Sequence, residues 1–415
     1  MSDAQDTRTH FDIVIIGGGP GGYGTALYAT SAGLEVAIVE KDVMGGTCLN
    51  RGCIPAKAFL ETAAIYREVS HAGDFGIETS APHVNFAVAQ ARKQKLVEGI
   101  VKGLVGFMKS KKITILDGYG SLGADHTVTV AHDDGTTTVL TGDHVVLAAG
   151  SVTRTIPGFD AGGPIMTSDE VLMLDELPRR VIVVGGGAIG CEFASTFADL
   201  GSEVTILEGL PKILPGLDTD VANVVVRSFK KKKIDIRTGV RVNGHTPNDG
   251  GGTTVHFTPS GADTDEHLEV DAVIVSVGRR PFADRLGLEG TEVKVDGRGF
   301  VDVDEYCRTA EPGVYAIGDL INTPQLAHVG YAEAVLVTKD ILGEHPFPVA
   351  YDRVPWAIYC SPEVAFVGPS EEAARAAGLD VVVAKHQFRS NSRAQILGEL
   401  DGLVKIIAKK EADGT

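Results

Sequence analysis

Cysteine, aromatic side chains and positive charge are all scarce in this chain, and long apolar runs are missing. Five cysteines in 415 residues do not make a disulfide framework of the kind that staples small secreted domains. Cys191, Cys307 and Cys360 stand far apart and read as structural thiols; Cys48 and Cys53 alone are close. With 38 basic against 55 acidic side chains, the formal charge is −17. That excludes a generalised nucleic-acid or anionic-membrane surface, though not a local basic patch. No apolar run reaches the length of a membrane span. The N-terminal stretch MSDAQDTRTHFD carries Asp3, Asp6 and Asp12, which excludes a secretory signal and makes a poor transit peptide. A close cysteine pair in an otherwise reduced chain points to redox work in a cytosol or organelle matrix, and a cytoplasmic location is expected. The chain is 43% hydrophobic and 22% charged, ordinary for a globular protein, with room for about three domains.

Low aromatic content (6%) accompanies abundant glycine (51 residues), a balance suited to backbone that approaches phosphate closely. The stretch Gly45 to Lys57, GGTCLNRGCIPAK, sets Cys48 and Cys53 among three glycines and a proline. In a regular helix, residues five apart rise about 7.5 Å along the axis. A disulfide needs Cα atoms within roughly 4.4–6.8 Å, so an undistorted helix would not join the two comfortably. Gly45, Gly46 and Gly52 loosen the backbone, and Pro55 suits the first turn of a following helix. Lys57 would share a helical face with Cys53 and bring a cation near its sulfur, and a cation and a helix N-terminus both favour thiolate. Two small buried thiols in a loop would account for the cysteines alone. They leave the glycines, the proline and Lys57 unexplained.

Residues 11–41, FDIVIIGGGPGGYGTALYATSAGLEVAIVEK, read as a dinucleotide-binding βαβ unit. An apolar strand runs into Gly17, Gly19, Pro20 and Gly22, a helix of small residues follows, and a second strand ends on Glu40. The glycines allow a tight turn and close approach of a pyrophosphate to the helix N-terminus, and the acid takes ribose hydroxyls. Residues 181–209 repeat the unit. Gly185, Gly187 and Gly190 follow a Val/Ile strand, Ala188 and Ile189 open the helix, and Glu208 stands at the same offset from Gly190 as Glu40 from Gly22. Two such units imply two dinucleotides, most simply a tightly held flavin and an exchangeable nicotinamide nucleotide. Glu208 would bond a free 2′-hydroxyl and repel a 2′-phosphate, favouring NAD over NADP.

Around these units the chain reads as helical over 58–110, with an amphipathic run near Val84 to Met108. Short strands follow at 113–116, 127–130 and 138–140, then the stretch 144–158, an apolar strand closing on Ala149, Gly150 and Ser151 before a Pro157–Gly158 turn that marks a domain exit. The lysine run Lys230 to Lys233 reads as a solvated helix end, and Asn248 to Gly252 as a turn. A strand over 271–282 ends on Gly278 and Arg279. Another, VYAIGD, delivers Asp319, with a helix expected over 330–342. Asp319 alone would serve as well as a helix N-cap. From Pro346 onward, four strands (PWAIYC, EVAFVG, DVVVAKHQF, GLVKIIAKK) and a short helix at 371–378 are expected.

CLNRGCIPAK resembles the active-site signature of the pyridine nucleotide–disulfide oxidoreductases, in particular their dihydrolipoamide-oxidising members, and the resemblance covers nearly the whole chain. It implies an α/β fold of two Rossmann-like domains plus an α+β interface domain. The FAD domain would be discontinuous (1–150 and 282–345), the NAD domain would be inserted (151–281), and the interface domain would begin at 346–415. It implies FAD contacts from Gly17, Gly19, Pro20, Gly22, Glu40, Lys41, Thr47, Cys48, Lys57, Tyr119, Gly120, Ala149, Gly150, Ser151 and Asp319, with Gln325, Leu326, Ala327 and His328 along the isoalloxazine. NAD would meet Gly185, Gly187, Ala188, Ile189, Gly190, Glu192, Glu208, Val242 and Gly278. No metal is expected.

The reaction the resemblance implies is oxidation of dihydrolipoamide by NAD+. Cys48 would form the mixed disulfide, Cys53 would face the flavin, and Lys57 would pair with Glu192 beside it. The implied partners are the lipoyl-bearing domain of a 2-oxo acid dehydrogenase complex and a second copy of the chain, with no nucleic acid and no membrane. Family members continue past the position of Thr415 with a His–Glu pair that serves the partner subunit. His386 and Glu399 do not fit that motif, so the interface domain is expected to be truncated. Glutathione- or mercuric-reductase-like chemistry is the alternative within the class. A truncated flavoprotein acting as a binding module is the alternative outside it.

Overall fold

The computed structural model describes residues 8–410. Asp3, Asp6 and the end of the chain at Thr415, on which two expectations above rest, lie outside them. By its internal contacts the chain divides into two units, each drawn from three separate stretches. The first comprises Met1–Pro55, Lys93–Val152 and Arg279–Tyr351; the second comprises Ala56–Arg92, Thr153–Gly278 and Asp352–Thr415.

The first unit is built on a seven-stranded sheet. His10–Ile16 pairs in parallel with Val36–Glu40 on one side and Thr137–Leu147 on the other, and Thr114–Asp117 and Val314–Ala316 extend the parallel part. Ile13, Val14, Ile15, Ile38 and Val145 to Leu147 are wholly buried, as strands covered on both faces must be. That is why they read as continuous apolar runs rather than alternating ones. The strand expected at 138–140 and the one expected from His144 to the Ala149–Ser151 turn are one strand, Thr137–Leu147. Its first half pairs antiparallel with Thr127–Ala131 while its second pairs in parallel with Ile13–Ile16. Gly142 carries the ladder between them, opposite Phe11.

In the second unit a five-stranded parallel sheet runs in the order Asp235–Thr238, Glu203–Glu208, Arg180–Val184, Ala272–Val275, Ile165–Met166. A three-stranded antiparallel meander (Arg241–Pro247, Thr253–Thr258, Glu266–Val270) packs its Val255 and Phe257 into a core shared with Ile182 and Leu207. Two hairpins complete the unit, Trp356–Ile358 with Val364–Phe366 and Val381–Gln387 with Leu403–Lys409. The expected helix over 58–110 is two helices, Cys53–Ser70 and Phe86–Ser110. The break follows from the Gly73 to Pro82 stretch, rich in residues that leave helix. The lysine run is not wholly solvated, because Lys232 is 17% exposed and bonds Asp199 at 2.8 Å.

Candidate active site

In the first unit the strand His10–Ile16 delivers Gly17 at φ +111, and the helix Pro20–Ser31 begins three residues later. A Cβ on Gly22 would lie 1.8 Å from the Gly17 carbonyl oxygen, so only glycine lets strand and helix approach this closely. Gly19 differs, because its nearest atom would be 3.9 Å away and it fronts a helix N-terminus with no side-chain cap. The unpaired N–H groups there suit a pyrophosphate. Glu40 accepts from the Gly18 N–H at 2.6 Å and the Asp42 N–H at 2.9 Å. Burial pushes its pKa up, and those two bonds oppose the rise. A cleft opens beside it, lined by Glu40, Lys41, Tyr119, Gly120, Ala149 and Phe282 among others. The Lys41 ammonium lies 4.0 Å from the Phe282 ring centre and 5.3 Å from that of Tyr119.

The cysteine pair is bonded, with its Cα atoms 4.6 Å apart. The helix Gly46–Arg51 stops at Gly52 (φ −146, ψ −106), and a new helix starts at Cys53. That break is what shortens the spacing below the rise of a regular helix. The loop is fastened to the first fingerprint, since the Gly45 N–H donates to the Gly18 carbonyl at 2.8 Å. A Cβ on Gly46 would lie 2.6 Å from Gly19 Cα. Asn50 Nδ2 donates to the carbonyls of Met44 and Gly46 at 3.2 and 3.0 Å.

Asp319 sits in the short turn Gly318–Leu320, and the following helix is capped by Leu326. Its Oδ2 accepts from Ser151 Oγ at 2.5 Å. Arg279, read from sequence only as a strand end, is the residue that gathers these pieces. Its Nε donates to Ser151 Oγ at 2.7 Å, and its Nη2 donates to the Ser151 carbonyl at 2.8 Å and to Thr47 Oγ1 at 3.4 Å. The guanidinium is 4.0 Å from Asp319. No spacing rule ties position 279 to 47, 151 and 319. Gln325 Nε2 is buried with no acceptor. A buried orphan donor calls for a ligand acceptor, and with the open Gly19 corner and the cleft it fits a bound dinucleotide.

The second unit repeats the first fingerprint closely. A Cβ on Gly190 would lie 2.0 Å from the Gly185 carbonyl, and nothing lies within 4 Å of one on Gly187. Glu208 accepts from the Gly186 and Leu210 N–H groups at 2.6 and 2.7 Å, as Glu40 does from its own neighbours. Val242 packs into the core that holds Leu207, and Gly278, three residues past the strand Ala272–Val275, stands at φ +108. Lys57 gives its ammonium to both Glu192 oxygens, at 3.0 and 2.9 Å. Tyr359, missed in the sequence, donates its N–H to the same carboxylate at 2.9 Å and places its ring 4.9 Å from Lys57 Nζ. Cys191, Cys307 and Cys360 are buried. Burial raises all three thiol pKa values, that of Cys360 to about 12, so they stay protonated and unreactive, as expected of structural thiols. Among the described residues, no cluster of side chains could hold a metal and no helix is long and apolar enough to cross a membrane.

Two dinucleotide fingerprints and a bonded cysteine pair fastened to the first of them define a nucleotide-linked disulfide oxidoreductase. The chain belongs to the pyridine nucleotide-disulphide oxidoreductase family, whose model matches residues 11–334, with the family's dimerisation domain over residues 354–414. It is an oxidoreductase and a flavoprotein of the kind that uses FAD and a nicotinamide nucleotide. It is 38% identical to the dihydrolipoyl dehydrogenase of Bacillus subtilis across 98% of this chain and 87% of that protein. It is 39% identical to the leghemoglobin reductase of Vigna unguiculata across 97% and 77%. Among solved structures, LpdA from Mycobacterium tuberculosis superposes with a TM-score of 0.89 at 27% identity, covering 97% of this chain and 87% of that one. The HOCl-induced flavoprotein disulfide reductase RclA from Escherichia coli does so at 0.84 and 28%, covering 96% and 86%.

Proposed function

We propose that this protein oxidises dihydrolipoamide to lipoamide with NAD+, using the Cys48–Cys53 disulfide as the primary electron acceptor. The observation that carries the reading is the attachment of the redox loop to the first fingerprint through Gly45, Gly18, Gly46 and Gly19. FAD would be held by the first fingerprint, the Glu40 cleft, the Ser151–Asp319 pair and Gln325 to His328, and NAD by the second fingerprint and Glu208. The residue ranges 1–150 with 282–345, 151–281 and 346–415 are the FAD, NAD and interface domains in this reading.

One substrate thiolate attacks Cys48 Sγ, the Cys48–Cys53 bond breaks, and Cys53 leaves as thiolate. Cys53 opens an 18-residue helix, whose N-terminus stabilises a thiolate leaving group. The second substrate sulfur, deprotonated, then attacks the sulfur bonded to Cys48, closing lipoamide and leaving both cysteines reduced. FAD, held by the residues named above, would supply the two-electron relay between the reduced cysteine pair and NAD+. Glu192 holds the Lys57 ammonium in place through both its oxygens, with Tyr359 fixing the carboxylate by its N–H. Glu208 selects NAD by accepting from ribose hydroxyls and repelling a 2′-phosphate.

We assign a homodimer to the last hairpin. Val382, Val404 and Ile406 are 49%, 51% and 61% exposed and share one face, because His386 pairs with Val404 and Ala384 with Ile406. The substrate in this reading is a lipoyl group borne by a 2-oxo acid dehydrogenase complex. The test is turnover by the purified protein with dihydrolipoamide and NAD+, set beside NADH-dependent reduction of glutathione disulfide and of Hg(II). Preferential turnover of either of the latter would replace lipoamide with another disulfide-reductase substrate.

A further inference from the structure

Glu333 is a wholly buried carboxylate with no place in the chemistry above. It lies in the helix Ala327–Ile341, whose first turn carries Ala327 and His328. Its Oε2 accepts from the Gly318 N–H at 2.6 Å, and its Oε1 accepts from Thr323 Oγ1 at 2.9 Å and from the Tyr351 hydroxyl at 3.0 Å. A buried carboxylate without donors would be costly; here three donors from three separate points satisfy it. Gly318 stands at φ +69 directly before Asp319. The turn is thus gripped from two sides. Glu333 holds its N–H edge, and Ser151 with Arg279 meets the Asp319 carboxylate on the other. The helix that bears Glu333 also carries the Gln325 to His328 stretch at its start, so one side chain joins both flavin-side segments.

We propose that Glu333 is a positioning residue, fixing the Gly318–Asp319 turn so that the Asp319 carboxylate is presented to bound FAD; this rests on the reading of Asp319 as a flavin-contacting carboxylate. Glu333 is wholly buried, and its bonding partners are one backbone N–H and two hydroxyls. Glu333→Gln keeps the size but turns an NH2 toward groups that donate. It can still accept from Gly318 only if Tyr351 and Thr323 reverse their hydroxyls.

The test is FAD titration of the apoprotein, followed by flavin fluorescence, for wild type, E333Q, Y351F, D319N and the E333Q/D319N double variant. The midpoint potential of the bound flavin and NADH affinity are measured alongside. E333Q is expected to weaken FAD binding at least about tenfold, the range of a charge-assisted hydrogen bond. Y351F, which removes one donor and leaves the other two, is expected to weaken it about threefold and serves if E333Q does not fold. Both should shift the flavin potential, leave NADH affinity within about twofold, and show non-additivity with D319N. Wild-type FAD affinity in E333Q and Y351F, or losses that multiply in the double variant, would overturn the proposal. If D319N itself binds FAD as wild type does, the reading of Asp319 fails and the inference falls with it. If D319N weakens binding and E333Q does not, the inference alone fails.

Discussion

Cys48 and Cys53 are chemically unequal although one bond joins them. Cys53 begins a helix and Cys48 lies within a short one ended by Gly52, so the helix-stabilised sulfur is the better leaving group. Cys48→Ser is therefore expected to abolish dihydrolipoamide turnover and to keep a long-wavelength thiolate–flavin absorbance. Cys53→Ser should lose both, and an absorbance that survives only in the Cys53 variant would reverse the roles. Glu208 supports a second prediction. Glu208→Ala would remove the proposed ribose acceptor and strand the Gly186 and Leu210 N–H groups. NAD+ binding should weaken about tenfold or more and the unit lose about 1–3 kcal/mol, with FAD retained. Calorimetric NAD+ titration beside the flavin spectrum reads both, and equal loss of the two cofactors would undo the assignment of the second fingerprint. At this scale the sequence was informative wherever local spacing carries the chemistry, as in Gly17, Gly22, Glu40 and their repeats. Arg279, Tyr359 and Glu333 escaped it, because each acts on residues that approach only after folding.

The redox loop and the last hairpin are both held by contacts outside themselves. Gly46 stands at φ +60 with its missing Cβ 2.6 Å from Gly19 Cα. Gly46→Ala should push the loop off the fingerprint, lowering stability by about 1–3 kcal/mol and weakening FAD retention, as thermal unfolding with and without added FAD would report. In the hairpin, Lys405 is 4% exposed and bonds Asp218, Asp220 and Glu371. Lys385 and then Lys405 hold Asp220 below the usual carboxylate range, and Lys405 does the same for Glu371. Burial works against the Lys405 charge, but the three carboxylates raise its pKa above the ordinary lysine value. Depressed carboxylates stabilise above their unfolded pKa of about 4, and that contribution fades as pH falls through the lower folded values. The raised lysine stabilises below about 10.4 and is lost only as pH rises through its folded value. Lys405→Met should thus lower the melting temperature at pH 7 and much less near pH 3; an equal effect at both would remove the network from the account. Apolar and β-branched runs placed these strands from sequence. The pairing of Thr137–Leu147 with two neighbours did not show, because a strand's pattern does not say which partner each half will meet.

Taken as one molecule, the chain encodes the same βαβ device twice and fastens a reducible sulfur pair to one copy. Repetition made the two nucleotide units legible, and the dispersed clamp around Asp319 stayed hidden for want of any local signature. If the last hairpin is a dimer face, Ile406→Asp should shift sedimentation toward a monomer while FAD content is kept; an unchanged sedimentation coefficient would move the interface elsewhere. The most direct measurement is anaerobic titration of the purified protein with NADH, followed by absorbance and by counting accessible thiols. A yellow protein is expected, in which NADH generates a long-wavelength band and frees Cys48 and Cys53 together. A preparation that takes up no FAD on reconstitution, or whose disulfide survives stoichiometric NADH, would contradict it.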